Sequence, residues 1–568
     1  MQKKSFDLSI VLSGEAGQGL KTLEVIFAKT AKASGFHVFT YTEFMSRIRG
    51  GNNTTEIRVS SEPCHSFIDR IDIAVSLQKD GLKRIERRLT ESTIIIGDEN
   101  TIDTRFHGRD HVHIVPLDKL AKESGGALFL NTVILGMLCA LMCMERTMAL
   151  QILKANIKRK DPDILSKNET AFGKGYEAGA KIHGDGKLQC GVPSRAPVAN
   201  DHLMYGADAI GIGALAAGCN FISSYPMSPA TTVLEFLAKQ SADFGVVVEQ
   251  AEDEIAAINM AIGSWYAGGR AMVTTSGGGF ALMEEGVSLA GAIESPVVIH
   301  IGQRPGPATG LPTRTEQADL NLALHAGHGE FPRIIFAPAN YRDGIELTCK
   351  AFNLADKYQV PVFVLTDQYF LDSSYNVSGI DLSTCNEEKF IVETVADYKR
   401  YAMTGNGISP RGIPGKGKGI VCAGSDEHDE GGYITEDFGV RTTMVDKRSR
   451  KLNAMAMEAI EPRFVGPRSY KNILVGWGST FNTLCEALER SGREDTALLH
   501  FSQVYPVSST ALPWLEKANN RVIVENNATA QFGALLTRET ALSFQHRILK
   551  YDGMPFPVEE LADAITNL

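Results

Sequence analysis

The sequence is short of several things, and each shortage excludes something. It has no apolar run of the ~20 residues that a membrane-spanning helix needs. The longest, VILGMLCALMCM at residues 133–144, reads as a buried helix. Nine cysteines are scattered over 568 residues, an odd number without regular spacing, so no disulfide framework is expected. The closest pair, Cys139 and Cys143, lies in that apolar run, where both read as small buried hydrophobes. No C-x₂-C-x₂-C run exists, so the common iron–sulfur ligation pattern is missing. Positive charge is in deficit. The net charge of −10 argues against nucleic acid or a membrane surface as partner. Asp7 interrupts the first apolar run and no cleavage pattern follows, so no secretory signal is read and a cytoplasmic protein is expected.

What is present is a long alternation of strand and helix patterns. In residues 1–185, SIVLSG, HVFTYT, EIRVSS, IDIAVSL and STIIIGD read as buried strands around an amphipathic helix ending near Gly35. That alternation predicts an α/β domain with a mostly parallel sheet. Residues 186–200 have a linker's Gly/Pro content. Residues 201–372 contain FISSYP, VVVEQ, AMVTTS, PVVIHIG, RIIFAP and PVFVLTDQ, the makings of a doubly wound domain. Residues 373–465 read as irregular, and residues 466–568 as a third α/β unit. The fold class expected is therefore multi-domain α/β.

VLSGEAGQGLKT, at residues 11–22, nearly matches the phosphate-binding G-x-x-x-x-G-K-[ST] loop. Gly14 and Gly19 are correctly spaced, but Leu20 intervenes and turns Lys21 about 100° around the helix. The glycines also miss the G-x-G-x-x-G spacing. Two readings stay open: a tight strand–helix connection, or backbone amides of Gly14, Gly17 and Gly19 cradling a phosphate-bearing ligand, with Arg47 adding charge.

Four segments in order carry a resemblance: YPMSPATT at 225–232, VEQAEDEIAAINMAIGSWYAG at 248–268, TTSGGGFALM at 274–283 and GPATGLPTRTEQADL at 306–320. Together they resemble the α-chain of 2-oxoacid:ferredoxin oxidoreductases, especially the 2-oxoglutarate type. GEAGQG and RIRGGNNTTEIRVS resemble that family's γ-domain, here fused in front. VENNATAQFGALL and YDGMPFPVEEL resemble its C-terminal region. The resemblance implies a γ-type domain followed by two thiamine-enzyme-like doubly wound domains, the second like a transketolase C-terminal domain. It also implies an enzyme using thiamine diphosphate and coenzyme A.

By that resemblance Glu254 is the carboxyl group that helps the thiamine aminopyrimidine to tautomerise, and it starts a helix whose face Ile255, Ile258 and Ile262 is expected to be buried. Glu252 and Asp253 read as helix-capping charges. Tyr225 and Pro226 belong to the cofactor turn, and Ser228 stands where relatives carry threonine, its hydroxyl directed at the substrate. Arg314 matches the arginine that grips a substrate carboxylate, with Arg304 as a nearby competitor. Thr275, Ser276 and Gly277 are expected to line the pyrimidine; Gly278, often proline in relatives, predicts a looser turn.

The G-D-G…N motif that holds Mg²⁺ and diphosphate is missing; the lone GDG at 184–186 reads as part of the linker stretch and lacks the following apolar helix and Asn. The resemblance therefore implies a separate β-subunit carrying Mg²⁺ and a [4Fe–4S] cluster, ferredoxin as electron acceptor, and an (αβ)₂ assembly. Pyruvate, branched-chain and aryl 2-oxoacids remain alternative substrates, and a non-catalytic nucleotide-binding subunit is the alternative class. His428-Asp429-Glu430 reads as a solvated polar loop.

Overall fold

A computed structural model describes residues 6–46, 50–157, 161–184, 186, 188, 190, 191, 193, 194 and 198–568. Arg47 lies outside the described residues. The chain divides into two compact units, Met1–Met204 with Ser373–Gly379, and Tyr205–Asp372 with Ile380–Leu568.

The first unit is built on an eight-stranded sheet in the order Val112–Ile114, Ile94–Gly97, Ile73–Ser76, Asp7–Ala16, Gly50–Ser60, His37–Glu43, Ser373–Val377 and His202–Tyr205. The half from Asp7–Ala16 to Val112–Ile114 is parallel. Asp7–Ala16 pairs antiparallel with Gly50–Ser60, which pairs antiparallel with His37–Glu43. The sheet is thus mixed, unlike the mostly parallel sheet read from the sequence. The hairpin connection between His37–Glu43 and Gly50–Ser60 is too short for the crossover that parallel neighbours require. The apolar run forms the helix Leu130–Leu141, almost wholly buried. It packs backbone to backbone on Pro162–Gly184: a Cβ at Gly175 would lie 1.9 Å from the Val133 carbonyl.

Cys143 is not in that helix. It sits just past the C-cap Met142, with φ of 55°, and is disulfide-bonded to Cys190 across 47 residues. The reading of Cys143 as a buried hydrophobe is overturned, because the helix ends at Leu141 and turns the thiol outward.

The second unit holds a seven-stranded sheet in the order Gln503–Tyr505, Ile334–Phe336, Pro361–Asp367, Val297–Gln303, Ala271–Thr275, Phe221–Ser224 and Val247–Gln250. All its pairings are parallel except that of Gln503–Tyr505. Val297–Gln303 and Pro361–Asp367 are buried along their whole length, as parallel strands covered on both faces must be. A five-stranded sheet follows, Arg463–Val465, Thr496–Phe501, Asn472–Trp477, Asn520–Glu525 and His546–Leu549, parallel but for its first strand.

Residues 373–465 are more ordered than their Gly/Lys/Asp content suggested. Ser373–Val377 joins the first unit's sheet beside His37–Glu43, and Phe438–Met457 is a 20-residue helix capped by Asp437. Three of its charges, Lys447, Arg448 and Lys451, are buried. Lys447 and Lys451, one turn apart on one face, both reach the buried carboxylate of Glu294. His428 is likewise buried, its ring 3.9 Å from that of Tyr401, so the solvated-loop reading of 428–430 fails at His428, while Asp429 and Glu430 are half-buried. Among the described residues no single helix is long and apolar enough to cross a membrane.

Candidate active site

In the first unit the glycine turn is backed by Gln18 at Gly14 and by Asn131 at Gly19, while Gly17 is open. Gly14 lies inside the strand Asp7–Ala16, while Gly17 and Gly19 have φ of 91° and 75°, the latter capping the helix Leu20–Ala33. Gln18 folds back, and its Oε1 accepts the Glu15 amide at 2.8 Å. Lys21 rests on Glu24 at 3.2 Å, as its displacement around the helix requires.

In the second unit a different cluster forms at the carboxyl ends of parallel strands, where open α/β sheets bind ligands. Asp253 is the N-cap of Glu254–Tyr266, its carboxylate accepting the Ala256 amide at 2.7 Å. That leaves Glu254 free for another task. It is 3% exposed, and its Oε1 has no hydrogen-bond partner. The helix face is not the one read from the sequence: Ile258 and Ile262 are buried, but Ile255 is exposed, since it lies about 100° from Glu254 around the helix.

Thr275 ends the strand Ala271–Thr275, and Ser276 is the N-cap of a short helix, Gly277–Phe280. Gly278 is therefore part of a regular turn, not the looser loop anticipated. Thr275 and Ser276 are buried, and Ser276 Oγ is unpartnered. A Cβ at Gly279 would lie 2.4 Å from Glu254 Oε1, and one at Gly277 would lie 2.2 Å from Asp319 Oδ1. The two glycines let the backbone pass between two carboxyl groups.

Tyr225, Pro226 and Ser228 follow the strand Phe221–Ser224, with Tyr225 exposed and the other two half-buried. The Ser228 carbonyl accepts a hydrogen bond from Arg304 Nη1 at 2.6 Å. Arg314 is half-buried, on a loop whose next residue, Thr315, donates its amide to the Gly553 carbonyl at 3.2 Å. Burial pushes the Asp319 carboxyl up to about 6 despite Arg304 nearby, and burial with Asp319 beside it pushes Glu316 up to about 7. Asp319 and Glu316 went unnoticed in the sequence, although both lie in TRTEQAD.

Three buried polar atoms without partners thus gather about one three-glycine turn: Glu254 Oε1, Ser276 Oγ and Asp319 Oδ2. Buried polar groups are normally paired, so such a cluster marks a place for a polar ligand. An aminopyrimidine, with a ring nitrogen for Glu254, fits this donor and acceptor set. For a cation the second unit offers nothing. Among the described residues the only His/Cys/Asp/Glu group with ligand spacing is Cys143, His183 and Cys190, whose sulfurs are bonded to each other.

A doubly wound domain with a buried carboxyl at a helix start and a glycine turn beside it defines a thiamine-enzyme type of site. Known proteins resolve the class further. Residues 212–447 match the thiamine-diphosphate-binding family "pyruvate flavodoxin/ferredoxin oxidoreductase", and residues 9–178 match the family "pyruvate ferredoxin/flavodoxin oxidoreductase". The α-subunit of a Sulfolobus 2-oxoacid:ferredoxin oxidoreductase is 30% identical over 99% of this chain and 97% of its own. A 2-oxoglutarate synthase subunit of Archaeoglobus fulgidus is 38% identical over 37% of this chain and 61% of its own. The 2-oxoglutarate:ferredoxin oxidoreductase of Magnetococcus marinus, solved with 2-oxoglutarate, coenzyme A and succinyl-CoA bound, superposes with a TM-score of 0.91 over the whole of both chains at 28% identity. The chain belongs to the 2-oxoacid:ferredoxin oxidoreductase family, as an α-subunit.

Proposed function

We propose that this α-subunit, with a β-subunit, oxidatively decarboxylates 2-oxoglutarate with coenzyme A, yielding succinyl-CoA, CO₂ and reduced ferredoxin. The observation carrying the reading is Glu254, a buried carboxyl whose Oε1 lacks a partner and against which only glycine fits at 279. Thiamine diphosphate, when bound, supplies a stabilised carbanion and an electron sink. The chain's own residues do the rest. Glu254 holds a proton at the pyrimidine ring nitrogen; Thr275, Ser276 and Gly277 orient the ring; Tyr225 and Pro226 line the approach. Ser228 and Arg314 fix the substrate's oxygen atoms, the guanidinium by a two-pronged grip that lysine cannot copy.

Mg²⁺, diphosphate and the [4Fe–4S] cluster are assigned to the β-subunit, since this sequence has neither G-D-G…N nor clustered cysteines. Gly14, Gly17 and Gly19 are assigned to contact with a phosphate-bearing ligand, coenzyme A being the candidate. The 2-oxoglutarate preference is supported by the substrates of the Archaeoglobus and Magnetococcus relatives.

The test is anaerobic co-expression with the β-subunit and viologen reduction by a panel of 2-oxoacids with coenzyme A. Glu254→Ala is expected to retain the complex while reducing turnover ~10²–10⁴-fold. Absence of reduction with every 2-oxoacid, from a wild-type complex loaded with thiamine, Mg²⁺ and cluster, overturns the reading.

A further inference from the structure

In the first unit Gly175 lies against the Val133 carbonyl and Gly179 against the Met137 carbonyl, where an added Cβ would come within 2.3 Å. These contacts advance in the same direction along both chains, so the helices Leu130–Leu141 and Pro162–Gly184 run parallel and end on the same side. Backbone contact this close fixes the two ends relative to each other. Cys143 stands just past the first end, and His183 is in the last turn of the second. Cys190 joins them from the chain that follows. That chain is anchored without the disulfide: a Cβ at Gly191 would lie 2.6 Å from Phe36 Cζ, and the Ser194 amide donates to the Gly35 carbonyl at 2.8 Å.

His183 Nε2 lies 3.5 Å from the sulfur of each cysteine. Its Nδ1 is buried and has no hydrogen-bond partner among the described residues, so the ring is committed to nothing but the two sulfurs. That separation is the one a shared ion would set. Tetrahedral Zn²⁺, with a thiolate at ~2.3 Å and an imidazole at ~2.0 Å, places the two ligand atoms ~3.5 Å apart. Among the described residues no carboxylate joins the group, and two sulfurs with one imidazole suit zinc rather than Mg²⁺ or Ca²⁺. The negative ends of two helix dipoles meet there, which favours a cation. Both cysteines are exposed, within reach of a reductant and of metal.

We propose that Cys143, His183 and Cys190 form a zinc site that opens on reduction and is closed, as here, by the Cys143–Cys190 disulfide. Reduction by a dithiol balances through exchange: the dithiol's two sulfurs join each other as the two cysteines take up its two hydrogens. Zn²⁺ then replaces the two thiol protons, which pass to solvent, and water fills the fourth position. The site is independent of the function proposed above, since it uses no residue named there.

The test uses the full α-chain, reduced with a dithiol, desalted anaerobically and titrated with Co²⁺, whose visible spectrum reports tetrahedral thiolate ligation. One equivalent is expected to give tetrahedral bands in the reduced chain and none in the oxidised one, and Zn²⁺ should abolish them by displacing cobalt. Cys143→Ser, Cys190→Ser and His183→Ala should each weaken Zn²⁺ binding at least ~100-fold, whereas Cys485→Ser, which removes a free thiol of the second unit, should change nothing. In the αβ complex, Zn²⁺ should slow alkylation of Cys143 and Cys190 at least ~10-fold, read peptide by peptide by mass spectrometry, and leave Cys485 unaffected.

A reduced wild-type chain without tetrahedral bands overturns the proposal. Bands that survive both Cys190→Ser and His183→Ala also overturn it, because other cysteines would then hold the metal. Bands of equal strength in the oxidised chain do so too, since the disulfide would then close nothing. Should a variant fail to fold, the oxidised and reduced wild-type chains and the peptide-level alkylation carry the same test.

Discussion

Gly279 and Glu254 stand in contact across the start of two helices, with the place of a 279 Cβ only 2.4 Å from Glu254 Oε1. The same Cβ would also meet Thr275 Oγ1 at 2.3 Å, so the carboxyl has no open side to move into there. Gly279→Ala is expected to displace Glu254 and to lower both thiamine content and turnover at least ~10-fold. Gly278→Ala is the control: its Cβ would find only the Ala308 carbonyl, at 3.6 Å, and near-normal cofactor content is expected. Equal loss in the two variants would show that the turn responds to any added methyl, whatever its direction.

Ser228 offers a hydroxyl without the methyl that stiffens a threonine. Ser228→Thr is expected to change kcat/KM by no more than a few-fold. Ser228→Ala should reduce it about 5- to 10-fold, the worth of one neutral hydrogen bond. The comparison is made on the αβ complex at fixed coenzyme A.

Glu294 carries the helix Phe438–Met457. Burial pushes its carboxyl up, but Lys451, Lys447 and Arg400 outweigh burial and hold it at about 2. Because the folded value lies below the ordinary 4.5, the stabilisation is complete above about 4.5 and is lost as pH falls toward about 2. Glu294→Ala leaves two buried ammonium groups without their carboxylate and should cost ~3–5 kcal/mol, read as a lowered midpoint of urea unfolding at pH 7. Between pH 4.5 and 2.5 the wild-type midpoint should fall more than the variant's; parallel curves would exclude Glu294 as the titrating group.

Much of the site could be read from the order of residues. YPMSP, EDE, TTSGGG and PTRTEQAD each sit where a strand gives way to a turn or helix, and a strand end is a local event visible in a short window. The difference between Asp253 and Glu254 was legible for the same reason: Asp253 precedes the helix and caps it, while Glu254 is already inside the first turn. The burial of Ile255 was misjudged because helical periodicity marks an apolar stripe without saying where the stripe ends.

What the sequence by itself determined is the succession of buried strands and the chemistry-bearing turns between them, since period-2 and period-3.6 patterns and turn residues act over a few positions, while the antiparallel pairing in the first unit was decided by tertiary structure. Tertiary structure alone decided the rest. Cys143 meets Cys190 across 47 residues, Ser373–Val377 leaves its neighbours to pair with His37–Glu43, and Lys447 and Lys451 turn a charged stretch into a buried face by finding Glu294. Asp319 became part of the site only when Gly277 was laid against it. Each of these depends on a partner distant in sequence, and a charged or polar residue reads as exposed until that partner is in place.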